Sequence, residues 1–210
     1  MILRLMKDVE NLFCEHTFKM GRINFVLLRN GTYWNFPFTV GSDIIVVTQA
    51  LLDKGPRKIM KILTHEMVHL DQRRDPGKYE RYYRKLGFQK AHVELGVLQH
   101  YILQNPDGER YEWIYRIGNK TYIPLALLLD CKMHCVLVEL HQNPAMAYTV
   151  AGVRTIHKVD SVSRYYHRFG TKRQLYHPNE IVAHLIADYL VDKREYYTID
   201  YNDIKEILNG

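Results

Sequence analysis

The sequence predicts an α+β fold: a small N-terminal sheet over a central helix, followed by a mostly helical C-terminal half. Three observations predict it. Residues 23–48 hold runs rich in β-branched side chains, punctuated by Gly, Asn and Asp. Residues 57–73 carry an apolar stripe at helical spacing just after the breaker Gly55-Pro56. Helical patterns then recur at 124–141, 144–157, 159–168 and 179–193, with few strand signals between them.

In chain order, a helix is expected near 6–15. Strands are expected at 23–28 and 41–48, with Asn30-Gly31 opening a hairpin between them. The segment 44–48 reads either as the sheet edge, where it would hold an extended peptide by backbone pairing, or as an ordinary core strand. The helix over 56–73 comes next, then helices over 76–86 and 88–104. Asn105-Pro106-Asp107-Gly108 reads as a turn, and Gly118-Asn119 as the tip of a hairpin flanked by 110–115 and 120–123. A last short helix is expected over 201–208.

The 210 residues fit one domain, or one domain carrying a helical insertion over 105–170. A hydrophobic fraction of 47% with 25% charged residues excludes a disordered chain. The first residues are too charged for a secretory leader, and the longest apolar run, 122–129, is too short for a membrane span. A cytoplasmic protein, or one inside a particle assembled in the cytoplasm, is therefore expected. Of three cysteines, Cys131 and Cys135 fall four apart on an expected helix near His134 and His141. They read as buried thiols in a reduced compartment rather than as a second metal site.

The chemistry-bearing segment is Thr64-His65-Glu66-Met67-Val68-His69, an HExxH pattern. With about 3.6 residues per turn, two histidines four apart leave one helix face together and can share a metal ion, most often Zn2+. The adjacent carboxylate, Glu66, does not bind the metal in such sites but takes a proton from the water it activates. A catalytic zinc needs a third protein ligand, which must come from elsewhere in the chain. Glu180 is the leading candidate: His177-Pro178-Asn179 reads as a helix start with Asn179 as N-cap, and Ala183 and Ala187 would let that helix come close. Glu94 and His92 on the expected helix 88–104 are rivals, and His184 reads as a supporting residue or an ordinary helix histidine.

HExxH followed by a helix of the form E-x-x-A-x-x-apolar-A-x-x-L, here Glu180, Ala183, Ile186, Ala187 and Leu190, resembles the gluzincin-type zincin metallopeptidases, especially the ImmA/IrrE-like minimal zincins. The resemblance covers roughly 40–75 and 176–192. It implies a zincin-like fold, His65, His69 and Glu180 as zinc ligands, Glu66 as general base, and a large insertion between the two matching parts.

The expected activity is zinc-dependent peptide-bond hydrolysis, with Tyr176 and His177 as candidate oxyanion donors and Tyr165, Tyr166 and His167 behind them. The expected partner is a protein or peptide substrate, for example a repressor or a toxin-system protein as the resemblance implies. An alternative is a component of an assembly such as a phage particle, with zinc mainly stabilising. Net charge is +6, and residues 73–85 interleave cations with tyrosines. That mixture suits nucleic-acid phosphates and bases as well as acidic protein surfaces.

Overall fold

The computed structural model describes residues 2–14, 16, 21–31, 35–103, 111–142, 147–150, 155–169, 175–193, 199 and 201–209. Helices and strands are both well represented, so the α+β class holds. The contacts divide into two compact units, 1–82 with 182–210 and 83–181.

The first unit opens with α1 (Ile2–Cys14), whose Leu5, Val9 and Phe13 recur every four residues and are buried. Helix α1 packs on α3 (Pro56–Arg74). Between them lie β1 (Asn24–Leu28), β2 (Phe38–Val40), β3 (Ile44–Thr48) and the short α2 (Gln49–Leu52). The sheet order is β1-β3-β2, with β1 parallel and β2 antiparallel to β3. Two expectations are overturned here. Asn30-Gly31 does not open a hairpin between neighbouring strands, since β1 and β2 flank β3 on opposite sides. The hairpin is β2–β3 instead, turned at Gly41 with φ of 58°, which suits glycine. Nor is 44–48 an edge strand. It is the central one, and Ile45 to Thr48 are buried because both flanks and one or both faces are covered.

Helix α3 begins as expected, with Gly55 at the N-cap and Pro56 at the first helical position, where a missing N–H costs nothing. Its last turn carries Arg73 and Arg74, which complement the negative end of the helix dipole. Arg73 also donates to Thr39 Oγ1 and to the Gly41 carbonyl at 3.1 Å, tying the helix end to the β2–β3 turn. After α3 comes α4 (Pro76–Lys85). Buried Asp71 accepts from Lys78 Nζ at 2.9 Å and from Tyr79 Oη at 2.7 Å. Tyr79, Tyr82 and Tyr83 are buried, so these rings pack inside rather than offering a stacking surface to bases. The unit is completed by most of α6 (Pro178–Asp192) and by α7 (Tyr201–Asn209), which buries Ile204, Ile207 and Leu208.

The second unit is a sheet where helices were expected. Its strands are β4 (Phe88–Lys90), β5 (Val93–Glu94), β6 (Trp113–Ile117), β7 (Lys120–Leu129), β8 (Lys132–Gln142), β9 (Tyr148–Val150) and β10 (Ile156–Lys158). The order is β4-β6-β7-β8-β9-β5, with β10 also paired to β8. The helix expected over 88–104 is two short strands and a 3₁₀ turn at Gly96–Tyr101. The helices expected over 124–141 and 144–157 are the β7–β8 hairpin and two further strands, so the proposed insertion is β-rich. The long hairpin register runs from Thr121↔Leu140 to Leu129↔Lys132. Its tip is Asp130-Cys131, both at positive φ (49° and 58°), the geometry that matches strand twist. Asp-Cys is a weak turn signal, and a leucine-rich run buried on both faces has no alternation to betray a strand. Cys131 is consequently exposed and not a buried helix thiol.

The hairpin across Gly118-Asn119, joining β6 to β7, forms as expected. Below it sits an aromatic core of Phe88, Tyr115, Tyr165 and Phe169, with Phe88 stacked on Phe169 at 5.4 Å and Tyr115 edge-on to Tyr165 at 5.1 Å. Tyr165 and Phe169 come from α5 (Ser163–Phe169). The turn expected at 105–108 lies outside the described residues. No described helix is long and apolar enough to cross a membrane.

Candidate metal centre

Helix α3 buries almost its entire second half, from Leu63 to Gln72. Apolar Leu63, Met67 and Leu70 account for that burial, and it carries Thr64, His65, Glu66, His69, Asp71 and Gln72 in with them. Such groups are costly to desolvate unless they bond internally. Thr64, His69, Gln72 and Asp71 do so, while the atoms His65 Nδ1 and Glu66 Oε2 are buried without a hydrogen-bond partner. His69 Nδ1 lies 2.7 Å from Gln72 Oε1, one turn further along. A carbonyl oxygen only accepts, so Nδ1 carries the proton and Nε2 presents its lone pair. That Nε2 lies 3.0 Å from His65 Nε2. In this state the proton between the two nitrogens belongs to His65.

Two imidazoles sharing a tetrahedral zinc at about 2.0–2.1 Å have nitrogens about 3.3 Å apart. The observed 3.0 Å is within a few tenths of that separation, but His69 does not join the group of donors that gathers around His65 with Glu180 and His184. The Gln72 contact is the kind of outer partner that fixes tautomer and ring orientation in metal sites.

Helix α6 supplies the second set of donors. Its cap differs from the expected one. Pro178 is the first helical residue, so His177 is the cap: its Nδ1 accepts from Asn179 N–H at 3.2 Å and its carbonyl accepts from Ile181 N–H at 3.0 Å. Asn179 is not the N-cap. A histidine is rarely read as a cap, which is why the sequence pointed one or two residues late. Capping also fixes the tautomer of His177, leaving the proton on Nε2. Glu180 is buried in the first turn, and Ala183 and Ala187 are fully buried as expected.

One donor atom from each of His65, Glu180 and His184 lies within 4.8 Å of the other two. The rings of His65 and His184 are 4.4 Å apart and tilted by 50°. The boundary between the two units falls after Ile181, yet Glu180 rides on the same continuous helix as His184, one turn away. The sequence reads His184 as an ordinary helix histidine or a supporting residue, although its four-residue offset from Glu180 is a signal that both leave α6 on one face. The rivals fare differently. His92 and Glu94 sit exposed on and beside β5, 4.0 Å from each other. They belong to the second unit and are not members of the His65, Glu180, His184 group.

Tyr176 and His177 are buried just ahead of α6. Tyr165 is a core residue. Its hydroxyl donates to the Leu175 carbonyl at 3.0 Å, and burial holds its pKa well above the ordinary tyrosine value. It is thus removed from the oxyanion donors. Tyr166 and His167 face each other on the more open side of α5, with ring centroids 6.1 Å apart.

Compared with protein families, curated proteins and solved structures, the chain finds no match.

Proposed function

We propose that this chain is a zinc-dependent metallopeptidase with a zincin-like active-site helix. The observation that carries the reading is the convergence of His65 and His69 Nε2 atoms at 3.0 Å, with His69 oriented by Gln72. His65 and His69 would hold the ion with Glu180 as third ligand. Bound there, zinc would supply Lewis acidity, lowering the pKa of a coordinated water toward about 7 and polarising a peptide carbonyl. Glu66, buried next to the first ligand, accepts the proton of the attacking water and passes it to the departing amine. His177, capped so that Nε2 keeps its proton, is the better oxyanion donor of the pair Tyr176 and His177. The substrate class is a protein or peptide.

A second reading is favoured by one observation. Counted together, the His65–His69 pair and the His65, Glu180 and His184 group, which does not include His69, offer four donor residues, most of them buried: His69 and Glu180 are each 1% exposed. Closed four-ligand zinc is the pattern of structural sites, as in a component of an assembly such as a phage particle. Metal analysis of the purified parent and of Glu180→Ala, with a peptide-library cleavage assay, separates the two. One zinc per chain with cleavage that Glu66→Gln abolishes supports the peptidase. One zinc per chain with no cleavage of any peptide, and a melting temperature that falls on chelation, supports the structural reading. No zinc in the parent refutes both.

A further inference from the structure

Helices α3 and α6 carry two rows of polar side chains at four-residue steps. On α3 they are Arg57, Lys61, His65 and His69, and on α6 they are Glu180, His184, Asp188 and Asp192. A four-residue step climbs about 6 Å and turns little past one full revolution, so each row is a slowly drifting stripe. Their pairings run in opposite directions along the two helices. Arg57 Nε meets Asp192 at 2.9 Å, Lys61 Nζ meets both Asp188 and Asp192 (2.6 Å to the latter), and the His65 ring meets the His184 ring. One end of this seam is ionic and the other is the metal-ligating set.

We propose that Lys61 is a positioning residue: by clasping Asp188 and Asp192 it sets the register and rotation of α6 against α3, so that His184 meets His65. The proposal rests on the metal reading for its purpose, though not for its geometry. Lys61 stands one turn before His65, and Asp188 one turn after His184. Metal sites tolerate errors of only about 0.2 Å in ligand distance, whereas a helix slipping by one turn moves about 5.4 Å. The other ion pair does less. Arg57 is 72% exposed, and a surface pair of that kind contributes little. Lys61 reaches Asp188, whose side chain is 10% exposed, and a carboxylate at that depth is strongly oriented by its cation.

The clasp holds across the physiological range. Burial alone lowers the Lys61 pKa, but the hydrogen bonds and charges of Asp188 and Asp192 outweigh it and leave it raised. Burial alone raises Asp192, and bonds from Lys61 and Arg57 outweigh it and leave it lowered.

The test compares parent, Lys61→Met, Lys61→Arg and His65→Ala for zinc affinity by chelator competition and for the absorption spectrum of the Co2+ form. Lys61→Met should fold, weaken zinc binding by about tenfold or more and alter the Co2+ spectrum, while Lys61→Arg restores both. Parent-like zinc affinity and Co2+ spectrum in Lys61→Met, with His65→Ala losing the metal, would overturn the proposal and leave the metal reading standing. A parent that binds no metal would overturn the metal reading. The register is then read in metal-free protein from nuclear Overhauser contacts between the His65 and His184 rings. Lys61→Met should weaken these contacts and Lys61→Arg should keep them. If they are unchanged in Lys61→Met, the proposal fails on its own account.

Discussion

The two units bury different kinds of side chain. Of the twelve buried polar or charged residues among those described, ten fall in 1–82 or 182–210, and the other two, His177 and Glu180, sit at the start of α6. The second unit is packed instead from a sheet of leucines and valines and a cluster of four aromatic rings. Burying a histidine pair, a glutamate and a lysine–aspartate pair is a poor way to gain stability, since desolvation offsets most of the attraction. Burying Phe and Tyr rings is a good one. Where a chain concentrates the unfavourable choice in one place, something other than stability has selected it. The contrast is between a unit that buries polar and charged groups and a unit packed mainly from apolar ones.

The largest effect that would break this comparison is on turnover. Glu66→Gln should keep zinc and lower peptide cleavage by at least about 100-fold, measured as kcat on a cleaved peptide. Cleavage near the parent rate would mean that the buried carboxylate is only structural. Next in size, Tyr165→Ala should remove about 3–5 kcal/mol of stability by leaving a cavity in the aromatic core, measured by denaturant unfolding. A loss under about 1 kcal/mol would show the second unit to be far less tightly packed than its ring contacts imply.

Smaller effects sharpen the contrast. His184→Ala should weaken zinc by about 10-fold to 100-fold if His184 acts on the ion directly or by orienting His65. Full zinc affinity would return it to an ordinary helix histidine. Gly87→Ala should cost about 1–3 kcal/mol, because φ is +99° and the added Cβ would lie 3.1 Å from the Tyr115 ring. Parent stability in that variant would show that the Tyr115 ring gives way freely.

The pH dependence has a definite sign. The stabilisation from lowered Asp192 is complete above the ordinary aspartate pKa and is lost as pH falls through its depressed folded value. The stabilisation from raised Lys61 is complete below the ordinary lysine pKa and is lost as pH rises past its elevated value. Between about pH 5 and 8 the clasp is therefore constant. In Asp192→Asn the loss of stability on acidification below about pH 5 should shrink, measured by urea unfolding as a function of pH, and an unchanged acid limb would show that the Asp192 charge adds no stability.

The HExxH helix, its start at Pro56 and its burial were legible in the sequence because they depend on local rules: a breaker, a 3.6-residue period and an i, i+4 pair. The same holds for Glu180 in the first turn of α6, for α4 and for α7. The sequence misleads where local pattern and long-range pairing disagree. Residues 124–141 are rich in leucine and lack alternation, so they read as helix, but pairing with β6, β9 and β10 makes them strands. The segment 44–48 was recognisable as a strand, yet its central place in the sheet depends on β1 and β2 arriving from either side.

By itself, then, the sequence determined that His65 and His69 leave α3 together, since helix geometry leaves no freedom at a four-residue offset. Only tertiary structure decided that His184 and Glu180 meet His65, and that Lys61 clasps α6 by two carboxylates. Those contacts join side chains whose encounter is fixed by packing between helices more than a hundred residues apart in the chain, and no local propensity specifies such a meeting.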